Sequence, residues 1–385
     1  MSEDVVVIGI ARTPMGGLLG ELSGMSAPEL GAVAVKAALI DGGVAKVDQV
    51  IMGNVLSAGL GQAPARQAAL KAGLPDRTEA VTLNKMCGSG LQAIAMARQA
   101  ILTGEADVII AGGMESMSRA PFLLNSHRAG RKYGHDKMLD HMALDGLEDA
   151  YEGLPMGVYA DQAAKDYQLT REAQDAYALE TLKRAQSAAS SGRFAREIAP
   201  VELKGVKIDT DELPRKAKPE KIPTLKPAFT DGGSVTAANA SAISDGAAAV
   251  VLTRASEAEK RKANPLARIV AQASYAQAPA KFTSAPVPAI KKALDRAGWK
   301  VGDVDLWEIN EAFAVVPMIA MQELGITHDK INVNGGACAL GHPIGASGAR
   351  VLVTLIAAME ARGAKRGVAS LCIGGGEGIA LCVER

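Results

Sequence analysis

The chain has 385 residues, 48% of them hydrophobic and 3% aromatic, the composition of an ordinary globular protein long enough to bury a large core and to form two or three domains. Its 42 basic and 42 acidic side chains cancel, so no long-range field holds a polyanion, and nucleic acid and anionic membrane surfaces are not expected partners. No run reaches the roughly 18 uninterrupted apolar residues of a membrane span; the opening Met1-Ser2-Glu3-Asp4 is acidic where a signal peptide is basic, and four cysteines make no disulfide scaffold, which together predict a cytoplasmic, reducing setting.

The first element is the continuous apolar run Val5-Val6-Val7-Ile8-Gly9-Ile10, a strand covered on both faces. A helix follows, with Ser26 and Glu29 at capping-box spacing, Pro28 in its first turn, an apolar face of Leu30, Val33 and Leu39, and a stop near Gly42-Gly43. Val50-Ile51-Met52 is the next strand. Val81-Thr82-Leu83-Asn84 then leads through Lys85-Met86-Cys87-Gly88 into a helix opened by Ser89-Gly90 and running to about Leu102, followed by the strand Val108-Ile109-Ile110-Ala111.

The same order recurs near the other end of the chain. Ile331-Asn332-Val333-Asn334, in the place of a strand, leads through a longer glycine-rich loop with His342 into a helix opened by Ser347-Gly348 and running to about Ala361. Val368-Ala369-Ser370-Leu371-Cys372-Ile373 is the strand after it, and Ile379 to Val383 one more. The helix around Ala289 to Ala297 and the strand Val304 to Trp307 likewise echo the first helix and Val50. Two related α/β halves are therefore expected, residues 1–117 plus 244–263 and residues 264–385. The polar, proline-bearing stretch 118–243 reads as an inserted loop domain, with one clear helix opened by Thr170 and carried by Ala173, Tyr177, Leu179 and Ala185. Its basic group Arg128, Arg131, Lys132 and Lys137 reads as a solvated face or a subunit contact.

Cys87 stands between a predicted strand and a predicted helix, where free N–H groups and the positive end of the helix dipole favour thiolate over thiol. It reads either as a nucleophile or as a small buried hydrophobe. His342 occupies the equivalent turn of the second half; if the two turns converge about a pseudo-twofold axis, the histidine is the base for the cysteine, and otherwise it is a loop histidine bonded to backbone. Cys372 ends a buried strand beside Gly374-Gly375-Gly376, which lacks the spacing and the following helix of a dinucleotide site. Asn310, after Glu308-Ile309, reads as a cap or a polar site residue. Cys338 and Cys382 read as packing residues, and without paired Cys-x-x-Cys spacing no metal site is expected.

Four ordered segments, Asn84-Lys85-Met86-Cys87-Gly88-Ser89-Gly90, Asn310-Glu311-Ala312-Phe313-Ala314, Gly341-His342-Pro343-Ile344-Gly345 and Cys372-Ile373-Gly374-Gly375-Gly376, resemble the signatures of the thiolases. The likeness runs from Val7-Ile8-Gly9-Ile10-Ala11-Arg12-Thr13-Pro14 to the C-terminus. It implies an α/β thiolase fold, two duplicated βαβαβαββ halves in a layered αβαβα core with an inserted loop domain. Within that family, Gly61-Gln62-Ala63-Pro64-Ala65-Arg66-Gln67 and Asn239-Ala240-Ser241 are similar to the enzymes that condense two acetyl-CoA molecules reversibly to acetoacetyl-CoA and CoA.

By that resemblance Cys87 is the acyl-carrying nucleophile, His342 its base and an oxyanion donor, Cys372 the proton acceptor and donor, Asn310 the holder of an oxyanion-hole water, and Gly374 a backbone oxyanion donor. The family pattern places CoA against Leu147, Met156, Arg215, Phe229, Ala237, Ser241, Ala312 and Phe313, with Arg215 facing the nucleotide. It implies no metal or further cofactor, acyl-CoA as substrate, and a homo-oligomer, a tetramer built as a dimer of dimers. Two departures bear on the substrate: Pro155-Met156-Gly157 stands where His-Met-Gly is common, and the Met-Gly-x-Gly-Pro acyl-pocket segment is replaced by Lys281-Phe282-Thr283-Ser284-Ala285-Pro286-Val287, which puts Phe282 in a broader acyl pocket. The alternatives are a degradative 3-ketoacyl-CoA thiolase of wider chain length and, more remotely, a non-catalytic acyl-CoA-binding protein.

Overall fold

The computed structural model describes residues 4–385; Met1 to Glu3, most of the acidic opening, lie outside the described residues. The first strand, β1 (Val5–Arg12), is buried at all eight positions, which is why it reads as an unbroken apolar run. Helix α1 (Ala27–Asp41) follows, and at its start the Ser26 N–H and hydroxyl both donate to Glu29 Oε2, at 2.8 and 2.7 Å. The rest of the first half is β2 (Gln49–Gly53), α2 (Pro64–Lys71), β3 (Glu79–Leu83), α3 (Ser89–Thr103), β4 (Val108–Ser116) and, beyond the insertion, β5 (Ser244–Arg254). Helices α4 (Met156–Asp166) and α5 (Arg171–Ser190) lie in the insertion; Thr170 caps α5 by accepting from the Ala173 N–H at 3.2 Å. The second half holds β6 (Ala267–Ala276), α6 (Pro286–Ala297), β7 (Leu306–Ile309), α7 (Val315–Leu324), α8 (Ile344–Arg362), β8 (Arg366–Ile373) and β9 (Glu377–Glu384).

The duplication is visible in the sheet. Strands run β3-β2-β4-β5-β1 in the first half and β6-β9-β8-β7 in the second, joined where Val6 and Val7 of β1 pair with Arg268 and Ala267 of β6. In each half the early strands pair in parallel, β2 with β3 and β4, β7 with β8, while the later strands close antiparallel. The segment from Ile331 to Asn334, read from sequence in a strand's place, forms only one parallel bridge, Trp307 to Ile331. Asn332 is the cause: its backbone is left-handed (φ 47°), and its side chain accepts from the Ile309 N–H at 2.9 Å and donates to Ile309 O at 2.8 Å. An amide side chain thus takes over the ladder bonds of a fifth strand.

Helices α1 and α2 cover one outer face with β1, β2 and β5, α6 and α7 cover the other with β6 and β8, and α3 and α8 lie together between the halves. Helix α8 has the length and apolarity of a membrane span, yet it is this central helix, buried over almost all of its surface. The insertion is tied down by buried polar groups. Arg12, fully enclosed, is ion-paired with Glu197 and Asp211 at 2.6 and 2.7 Å, and Glu311 accepts from Tyr177, Thr181, Asn332 and the Cys338 N–H.

Candidate active site

The site starts at the crossing of α3 and α8. A Cβ on Gly90 would lie 2.6 Å from the Ala349 nitrogen, and one on Gly348 would lie 2.3 Å from the Leu91 nitrogen. The Ser-Gly pairs that open both central helices therefore meet backbone to backbone, and no larger residue fits there. Their N-termini, and the turns carrying Cys87 and His342 just before them, are drawn to one place. The residue before Cys87, Met86, has a positive φ of 48°, a strained conformation at the turn that presents the cysteine.

The backbone N–H groups of Gly374, in the turn between β8 and β9, and of Cys87 itself lie close enough to the Cys87 sulfur to favour its ionised form. The sulfur therefore rests where an oxyanion would find donors from both halves. Burial nevertheless pushes the Cys87 thiol up to about 11, the two N–H groups opposing it and Glu115 adding to it. The sequence expectation of a thiolate favoured by the helix end is thus corrected: desolvation outweighs the dipole and the bound form is the thiol. Cys372, buried at the end of β8, is pushed well up by burial and by Cys87, which places the two sulfurs in one electrostatic environment.

His342 is buried, and burial together with the Arg350 charge lowers it to about 3, so the ring is neutral across the physiological range. Its Nδ1 lies 2.6 Å from Ser347 Oγ, and that hydroxyl lies 3.0 Å from Pro343 O. Nε2 has no partner among the described residues and is the ring nitrogen left open. Asn310 is fully buried with Nδ2 3.4 Å from His342 Nδ1. Arg350 donates to Asn310 Oδ1 at 3.2 Å and pairs with Glu308 at 2.7 Å; burial raises the Glu308 carboxyl to about 8 despite that cation. This fixes which end of the Asn310 amide faces the histidine.

The residues expected to hold CoA fall into separate groups. Phe313 is edge-on to Phe229 at 6.0 Å and to Phe282 at 6.2 Å, and Ser241 N–H donates to Ala312 O at 2.9 Å. Leu147 packs in the cluster that holds Met86 and Cys87, and Met156 faces Gly374. Ala237 lies apart from the aromatic group, on a cavity of about 260 Å³ shared with Cys338, Leu213, Lys216, Lys218 and Lys221. Arg215 lies on a different cavity, ion-paired with Glu21 at 2.7 Å and donating to Asp211 O. Among the described residues no three His, Cys, Asp or Glu side chains gather as metal ligands.

Sequence reasoning missed Ser347, Arg350, Glu308 and Glu115 as parts of the site. Glu115 is fully buried and accepts from Asn54 Nδ2, the N–H groups of Val55 and Leu56, and that of Gly345, so one carboxyl group straps β4 to the first turn of α8. None of these contacts has a spacing signal, except that Ser347 and Arg350 stand one helical turn apart.

The chain matches the thiolase N-terminal domain over residues 5–256 and the thiolase C-terminal domain over residues 263–385, and it belongs to the thiolase family. Among its relatives, proteins named acetyl-CoA acetyltransferase from Cupriavidus necator and Pseudomonas aeruginosa are 51% and 50% identical, the first over 99% of both chains and the second over the whole of both. A third, from Escherichia coli K12 and named probable acetyl-CoA acetyltransferase, is 48% identical over 100% of this chain and 99% of its own.

Proposed function

We propose that this chain is an acetyl-CoA C-acetyltransferase, an acyltransferase that condenses two acetyl-CoA to acetoacetyl-CoA and CoA, reversibly and by a ping-pong acyl-cysteine route. The observation that carries the reading is the close crossing of α3 and α8 at Gly90 and Gly348, just after the turns of Cys87 and His342, together with the unpartnered Nε2 of a neutral His342. The full-length relatives of about 50% identity give the substrate.

In this reading His342 Nε2 takes and keeps the Cys87 proton as the sulfur attacks the thioester carbon, and Cys372 gives its own proton to the departing CoA sulfur, which leaves Cys372 as the thiolate. Cys372 then removes an α-proton from the second acetyl-CoA. The carbanion attacks the acetyl carbon and expels the Cys87 sulfur, which regains a proton. One oxyanion is met by the N–H groups of Cys87 and Gly374, the other by His342 and a water on Asn310. No metal and no cofactor beyond the CoA substrates takes part. Phe229, Phe282, Phe313, Ala312, Ser241, Met156 and Leu147 line the acyl and pantetheine path, and Ala237 and Arg215 lie toward its nucleotide end.

We further propose a cytoplasmic enzyme of lipid metabolism that assembles as a homotetramer. Two surfaces support assembly: β3 is a sheet edge with exposed Val81, and residues 122–138 expose Phe122, Leu124, Tyr133 and Met138. Light scattering on the purified chain is expected to give a tetramer, and a monomer would remove this part of the reading.

The test of the activity is CoA-dependent loss of acetoacetyl-CoA, beside 2-methylacetoacetyl-CoA and a 3-ketoacyl-CoA of about eight carbons. Preference for the four-carbon chain is expected. Equal or faster cleavage of the long chain would make the protein a degradative thiolase, and no turnover would make it a binding protein.

A further inference from the structure

Away from the site just described, a cavity of about 340 Å³ opens between the insertion and the second half. Its walls are Lys183, Arg184 and Ser187 on α5, Arg193 in the turn beyond, and Arg362 at the last residue of α8, with Glu180, Asp329 and Val333. It shares no lining residue with Cys87, His342, Cys372 or the expected CoA contacts.

The charges around it do not balance. Glu180 is paired with Arg184 at 3.0 Å and Lys183 at 3.6 Å, and the Asp329 carboxylate, lowered by the Thr327 side chain and by the Lys330 and Arg184 charges, forms no ion pair with Arg193 or Arg362 among the described residues. Glu360, two residues back on α8, is taken by Arg196 at 2.9 Å. Among the described residues Arg193 has only neutral acceptors, Ser191 Oγ at 2.9 Å, Ser187 Oγ at 2.7 Å and Asn334 Oδ1 at 3.3 Å. Arg362 has no hydrogen-bond or ion-pair partner among the described residues, and burial with the neighbouring charges of Arg193 and Arg184 lowers its proton affinity. His328, next to Arg184, is lowered by burial and by that cation and adds no positive charge.

Three guanidinium groups thus face one cavity and two lack a counter-anion. The helix dipole at the end of α8 favours one cation there but does not require a second and third. Planar guanidinium forks match the oxygens of phosphate in geometry and charge. We propose that this cavity binds a phosphate group, held by Arg193 and Arg362 with Ser187 and Lys183 at its edge. The volume is several times that of a water molecule and leaves room for the remainder of a phosphate ester. Arg184 and Arg193 also bond Ile331 O and Asn334 Oδ1, so the site's wall is the segment that leads into His342.

The experiment follows the thermal midpoint of the full chain as inorganic phosphate is titrated at constant ionic strength, with native protein, Arg362→Gln and the pair Arg193→Gln/Arg362→Gln. A ligand that binds only the folded state raises the midpoint with concentration. The native midpoint is expected to rise with phosphate, R362Q to need about tenfold more phosphate for the same shift, and the pair to show none. ADP as a second probe separates sources: a stronger R362Q-sensitive shift with ADP assigns a nucleotide, and one with phosphate alone assigns the free ion. No native shift with either probe, or equal shifts in native protein and R362Q, would overturn the proposal. Because R362Q touches nothing in the thiolase site, its acetoacetyl-CoA cleavage without phosphate should equal that of native protein, which keeps this result separate from the proposed activity.

Discussion

In the proposed reaction Cys87 and His342 divide the work of making a nucleophile, and neither is activated by charge in the resting protein. Burial holds the thiol up at about 11 and the imidazole down at about 3, so at neutral pH both are uncharged. Alkylation of Cys87 by iodoacetamide should therefore be slow at pH 7 and keep rising past pH 9; a plateau below pH 8 would show a preformed thiolate. His342→Asn should lower turnover by about 10²–10⁴-fold, the usual size of a general-base contribution, while leaving the alkaline alkylation rate of Cys87 nearly unchanged. A loss smaller than tenfold would remove the histidine from the reaction. Both residues were legible in the sequence because each stands in a glycine-rich turn before a Ser-Gly helix start. Their electrostatics were not legible, since burial is decided by side chains distant in the chain.

At the scale of elements, the buried Glu308–Arg350 pair joins β7 to α8 and orients the Asn310 amide. Removing one member of such a pair leaves an uncompensated buried group, at a cost of about 3–5 kcal/mol, whereas replacing both with apolar residues is often tolerated. Arg350→Met should lower the unfolding free energy by about that amount, and Glu308→Leu/Arg350→Met should recover most of it, both read from urea denaturation. If the double variant is no more stable than the single one, the pair is not the unit that holds Asn310. The same scale shows where pattern reading stops. The runs at Val5, Val108 and Val368 become strands because apolar continuity reports burial on both faces. Ile331 to Asn334 has similar continuity, yet Asn332 turns left-handed and its amide replaces the ladder, a choice made by Ile309 and Glu311 across the fold.

Across the whole molecule, the duplication explains why one sheet order is repeated and why the two central helices meet at Gly90 and Gly348. The repeat was visible in the sequence; the contact that crosses it, Glu115 to Gly345, and those that tie the insertion to the first half, Arg12 to Glu197 and Asp211, join residues too far apart to be inferred from spacing. Global stability should carry the signature of the buried histidine. Its folded value lies below the ordinary one near 6.5, so the unfolded chain binds more protons, and the contribution present above about pH 6.5 is lost as pH falls toward about 3. Native protein should lose stability over that window by up to about 1.4 kcal/mol per pH unit more than His342→Asn. Parallel curves would contradict the buried neutral ring.

The central claim, that Cys87 carries the acyl group, is tested most directly by mixing the protein with acetyl-CoA, quenching in acid and mapping the acetyl group by peptide mass spectrometry. The account predicts one acetyl group, on the peptide containing Cys87, removed on adding CoA and absent from Cys87→Ala. Acetylation of another residue, or none in a protein that still cleaves acetoacetyl-CoA, would contradict it.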